Sequence, residues 1–117
     1  MRLVALLAGA LLALAGCSAV PSEGDILDQF EAATAESLGA DVDNPHVKEI
    51  AEILSRGAAK GCNDATTWRI MSTPGSDGEW QPSFQRIWAV SCMALYADRL
   101  DPALHERYRA VAATEVG

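Results

Sequence analysis

The segment that most constrains this chain is its apolar N-terminal run, Leu3 to Ala15, built almost wholly of Leu, Ala, Val and Gly. Arg2 stands ahead of it, and small residues close it before Cys17. Such a run is too short to cross a bilayer as a permanent helix, and its ending matches the cleavage region of an export signal. Only the remainder then has to fold. Removing the first 16 of 117 residues leaves 101, enough for one domain with a modest core and too few for two.

The cysteine placed directly after Leu-Ala-Gly carries a second meaning. Leu14-Ala15-Gly16-Cys17 resembles the lipobox of bacterial lipoproteins: a Leu, a small residue, Gly or Ala, and then the cysteine that becomes lipidated. The resemblance covers only this N-terminal segment. It implies a diacylglyceryl thioether on Cys17, cleavage before it and acylation of the new amino group. The competing readings are an ordinary secretory signal with a chance cysteine and a retained transmembrane anchor. The expected organisation is a cleaved signal over 1–16, a lipidated N-terminus and short tether over 17–21, and a single small globular domain over 22–117. Ser18 to Pro21 reach on the order of 15 Å when extended, so the domain is expected directly above its membrane. In a cell with two membranes that place is the periplasmic face of the outer one, because Ser18 is not the aspartate that the family's sorting rules associate with inner-membrane retention. In a Gram-positive cell it is the outer leaflet of the cytoplasmic membrane.

Charge narrows the partners. Loss of Arg2 leaves 8 basic side chains against 16 acidic ones. A domain this acidic lacks the basic stripe that neutralises phosphates, so no nucleic-acid partner is expected. Electrostatic adhesion to anionic lipid is likewise not expected, and membrane affinity rests on the acyl chains. Cys62 and Cys92 remain as an even pair in an exported chain, which predicts a Cys62–Cys92 disulfide. Neither sits in a Cys-x-x-Cys motif or beside a histidine, as a redox or metal site would require.

Helical periodicity dominates the rest. Ser22 opens a helix whose apolar stripe runs through Ile26, Leu27, Phe30, Thr34 and Leu38 to a cap at Gly39. Asn44-Pro45 opens a second, with Val47, Ile50, Ala51, Leu54 and Ala58 on one stripe, weakened at Gly57 and ended near Gly61. Residues 65–72 are ambiguous: Thr66, Thr67, Trp68 and Ile70 favour a strand, yet Asn63 is positioned to cap a short helix. A loop follows at 73–78, then a helix over 83–100 capped by Ser83, and a last one opened by Asp101-Pro102. The tail from Thr114 is expected to fray. The fold class is therefore mainly α, a small bundle of four or five short helices stapled by one disulfide. The alternative is α+β, with a short hairpin within 65–93.

No catalytic constellation emerges. His46 and Glu49 stand three apart, but a metal site needs more ligands, and the first turn of an exposed helix explains both. Ser76 in Pro-Gly-Ser-Asp-Gly reads as turn chemistry rather than a nucleophile. No catalytic residue, metal site or cofactor beyond the lipid on Cys17 is expected, and no enzymatic activity. Trp68, Trp80 and Trp88 cluster in the Cys62–Cys92 loop. Trp88 lies on a core stripe, whereas Trp80 falls in a stretch without periodicity and is the candidate partner contact. The expected role is binding, as an accessory subunit or adaptor with an envelope protein partner. The alternative is a stand-alone inhibitor, exclusion factor or small-ligand carrier at the membrane surface.

Overall fold

The computed structural model describes residues 20–114; Cys17 and the signal over 1–16 lie outside the described residues. Among the described residues there are six helices and no strand: α1 (Glu23–Leu38), α2 (Pro45–Ser55), α3 (Ala58–Gly61), α4 (Ala65–Ser72), α5 (Pro82–Tyr96) and α6 (Pro102–Ala113). The mainly α bundle is the observed class, and the hairpin alternative within 65–93 is replaced by α4 and α5.

The boundaries follow from local chemistry. Ser22 and Asp25 form a reciprocal capping box: the Ser22 hydroxyl accepts from the Asp25 N–H at 3.1 Å, and the Asp25 carboxylate accepts from the Ser22 N–H at 3.2 Å. At the other end Gly39 adopts φ 64°, and the Ala40 N–H returns to the Ala35 carbonyl at 2.9 Å, which closes α1 in the manner of a Schellman turn. Asn44 caps α2 by accepting from the His46 N–H at 2.8 Å. Gly57 interrupts what the sequence reads as one helix, and α3 emerges as a separate turn. This accounts for six helices where four or five are expected.

Two further differences have plain causes. Asp64, not Asn63, caps α4: its carboxylate accepts from the Thr66 N–H at 3.1 Å and the Thr67 hydroxyl at 2.9 Å. Burial of Trp68 and Met71, three apart on one helical face, then overrides the strand preference of the threonines. Asn63 instead ties the end of α5 to the start of α6, donating to the Arg99 carbonyl at 3.1 Å and accepting from the Asp101 N–H at 2.7 Å. That bridge holds a turn after Tyr96, so α5 stops short of the expected residue 100. Its start is Pro82, with Gln81 rather than Ser83 at the cap position.

Helices α1 and α2 lie antiparallel. Glu31 and Lys48 pair at 3.4 Å midway, while Glu23 and Leu27 at the start of α1 share a surface recess with Glu52, Ser55 and Arg56 at the end of α2. Helix α5 packs on α1 and on α6. Phe30, Val47, Ala51, Ile87, Trp88, Cys92 and Tyr108 are fully or almost fully buried between them. The Cys62–Cys92 disulfide forms, with its Cα atoms 5.3 Å apart, and joins the chain just beyond α3 to the middle of α5. It closes a loop with a sequence separation of 30, worth roughly 3–4 kcal/mol in the chain-entropy model. For a domain of this size that is a large part of net stability. We expect the Cys62→Ser, Cys92→Ser double variant to lose about that much in urea unfolding. A melting curve unaltered by reductant in the wild type would contradict it.

Candidate functional site

The side chains that set the sequence apart converge beside the disulfide. Trp88 is buried in α5 and meets Phe30 of α1 edge-on at 5.9 Å between ring centroids. Trp80, in the connection before α5, meets Trp88 edge-on at 5.5 Å. Trp68 of α4 meets Tyr108 of α6 the same way at 4.9 Å. These are the edge-to-face arrangements that ring quadrupoles favour.

A hydrogen-bond chain runs through the centre. The Trp88 Nε1–H donates to the Tyr108 hydroxyl at 3.1 Å, and that hydroxyl donates to the Cys62 carbonyl at 2.6 Å. Both side chains are buried, and the polar group that each brings into the core is satisfied by this chain. Burial pushes the Tyr108 hydroxyl up from 10.0 to about 12; the bond from Trp88 opposes this shift and the Asp64 carboxylate adds to it. Burial also raises Tyr96, against the pull of Arg99.

Between α2, α3, α4 and Trp80 lies a cleft of about 260 Å³. Leu54, Met71, Trp80 and Trp88 give it an apolar lining, and Ile53, Lys60 and Asp64 stand on its exposed margin. Gly61 makes the wall thin. A Cβ there would lie 3.1 Å and 3.2 Å from two ring carbons of Trp88 and 3.3 Å from a Thr67 methyl. Trp80 is half-buried: its ring packs on Trp88 and also borders the cleft. Its backbone is held on both sides, the N–H donating to the Met71 carbonyl at 2.9 Å and the carbonyl accepting from the Gln85 side chain at 2.7 Å.

The structure thus gathers Cys62, Cys92, Trp80, Trp88 and Trp68 into one region. What sequence reasoning misses is Gly61 and Tyr108. In the sequence Gly61 is a helix end and Tyr108 one more apolar stripe residue, because nothing local announces a partner forty-six positions away. Ser76 sits in a turn, its hydroxyl donating to the Ile70 carbonyl at 2.6 Å. His46 and Glu49 are exposed on α2, and among the described residues no cluster of three His, Cys, Asp or Glu stands ready for a metal ion.

No family model matches this chain, and comparison with curated proteins and with solved structures finds no match to it either.

Two substitutions test this geometry. Gly61→Ala should destabilise by about 1–2 kcal/mol: overpacking against the pinned Trp88 ring exceeds the helix propensity that alanine gains. Denaturant titration checks it, and a stabilised variant would refute the close approach. Tyr108→Phe should cost about 1–3 kcal/mol, since it strands the Trp88 N–H and the Cys62 carbonyl. It should also change the alkaline limb. Below pH 10 Tyr108 is protonated in folded and unfolded chains alike; between 10 and about 12 only the folded chain keeps the proton, so stability falls as pH rises. Removing the hydroxyl removes that share of the slope, which melting curves across pH 9–12 would read.

Proposed function

We propose that this protein is a lipid-anchored envelope protein that works by binding, as an accessory subunit or adaptor of a cell-envelope complex. The Leu14-Ala15-Gly16-Cys17 motif supports the anchor. The observation that carries the binding role is Trp80, half-buried at the border of an apolar cleft, with its backbone clamped at Met71 and Gln85. A preformed aromatic beside a recess is the arrangement that interface anchors use, because little ordering entropy is lost when a partner arrives.

The size of the cleft favours a protein partner over an enclosed ligand. At about 260 Å³ it is smaller than the roughly 300–1,000 Å³ of pockets that engulf small molecules. One or two apolar side chains of a partner fill it better. The recess at Glu23, Leu27, Glu52 and Arg56 is larger, about 340 Å³, but charged side chains border it.

The test is affinity purification of the lipidated protein from cross-linked, detergent-solubilised envelopes, with the wild type beside Trp80→Ala. The variant should still fold, at a cost of about 1–2 kcal/mol for the lost edge contact and partial burial. A stoichiometric partner on the wild type that falls at least roughly tenfold on the variant is the expected result, equivalent to the loss of one hot-spot contact. Recovery of the wild-type protein alone would overturn the subunit reading.

A further inference from the structure

We propose that the pole formed by the start of α1, the end of α2 and α3 is a membrane-contact surface, with Ile53 seated at the headgroup level of the bilayer that holds the anchor. The inference rests on the lipoprotein reading of Cys17.

Cys17 and Val20 are separated by Ser18 and Ala19 alone, so the anchor lies within roughly 10 Å of Val20 along an extended chain. Val20 leads through Pro21 and Ser22 into the first turn of α1. Because α2 runs antiparallel to α1, its last turn stands at the same pole: the recess shared by Glu23, Leu27, Glu52, Ser55 and Arg56 fixes that pairing. Chain length outside the folded domain therefore decides which surface meets the lipid.

Four of the five large exposed apolar side chains sort by pole; the fifth, Ile70 at 47%, stands on α4 beside Gly78. Val20 at 73% and Ile53 at 53% relative exposure belong to this pole. Leu38 and Val42, each at 43%, belong to the other, since α1 has 16 residues and spans about 24 Å between them. Ile53 is in the last turn of α2, turns away from the Val47, Ala51 and Leu54 stripe that faces the core and stands on the margin of the Trp80 cleft. The cleft therefore opens beside the bilayer, and its partner meets the domain at the membrane surface. An isoleucine so exposed gains from the headgroup–acyl boundary what water denies it.

Electrostatics at the pole select the kind of lipid surface. Glu23, Asp25 and Glu52 stand against Arg56 and Lys60, and Arg56 already pairs with Glu52 at 3.6 Å. This mixed patch offers no net attraction to anionic lipid, so the contact suits zwitterionic headgroups, with the tether supplying the affinity.

The experiment uses the mature lipidated protein in phosphatidylcholine vesicles, with or without bromine on the acyl chains. Two variants, Ile53→Trp and Val42→Trp, each add an indole at an exposed position, and the wild-type emission is subtracted. We expect bromolipid to quench the added emission of Ile53→Trp at least roughly twofold, as an indole at the acyl boundary should be, and to leave that of Val42→Trp unchanged. Equal quenching of both variants, or none of Ile53→Trp, overturns the proposed surface. Mass spectrometry of the N-terminal peptide separates the two levels. An unmodified Cys17 overturns the lipoprotein reading itself, whereas a lipidated Cys17 with an unquenched Ile53→Trp overturns only the orientation.

Discussion

The bundle depends on one indole. Trp88 touches Phe30 of α1 and Trp80 of the connection, presses on Gly61 of α3 and donates its N–H to Tyr108 of α6. Helices α3 and α4 have four and eight residues, too few to stand alone in water. They are held because Cys62 is fixed twice, through its sulfur to Cys92 and through its carbonyl to the Tyr108 hydroxyl. The covalent link and the hydrogen-bond chain meet at the same residue. Loss of either would loosen the segment that forms the cleft wall.

This arrangement also accounts for how a small domain buries two polar aromatics at its centre. An indole N–H and a phenol hydroxyl are costly to bury alone, yet here each answers the other and the remaining donor finds a backbone carbonyl. The high affinity of the Tyr108 hydroxyl for its proton has the same origin: the anion would be buried, with the Asp64 carboxylate nearby. Packing and titration thus report one constraint, the exclusion of water around Trp88.

Legibility of the sequence divides along the range of the forces involved. Ser22, Gly39, Asn44-Pro45 and Asp101-Pro102 act within one helical turn, and the helices they bound lie where those residues put them. The disulfide partners are legible because only two cysteines remain after Cys17. Residues 65–72 resist because β-branched preference and a capping residue compete there, and burial of Trp68 and Met71, a tertiary effect, decides the outcome. Gly57 and Gly61 look alike in sequence. One breaks a helix, and the other makes room for a ring contributed from α5. The cleft is legible only as a cluster of tryptophans in one loop, since its walls come from five separate stretches of chain.

In the binding role proposed for it, Trp80 is a half-buried aromatic on a rigid support. The connection that bears it is pinned from below: the Gly75 N–H donates to the Glu79 carboxylate at 3.0 Å, and Gly78 lies so close to Ile70 that a Cβ would come within 2.5 Å of its methyl. Together with the bonds to Met71 and from Gln85, these contacts fix the backbone on either side of the indole. Rotamer freedom is then the main entropy left to lose when a partner covers it, about 0.5–1.5 kcal/mol, less than a well-packed indole returns on burial. A binding role therefore requires no rearrangement of the domain. The same rigidity that the disulfide and Trp88 impose on the fold shapes the cleft, as the proposed docking of a partner side chain needs.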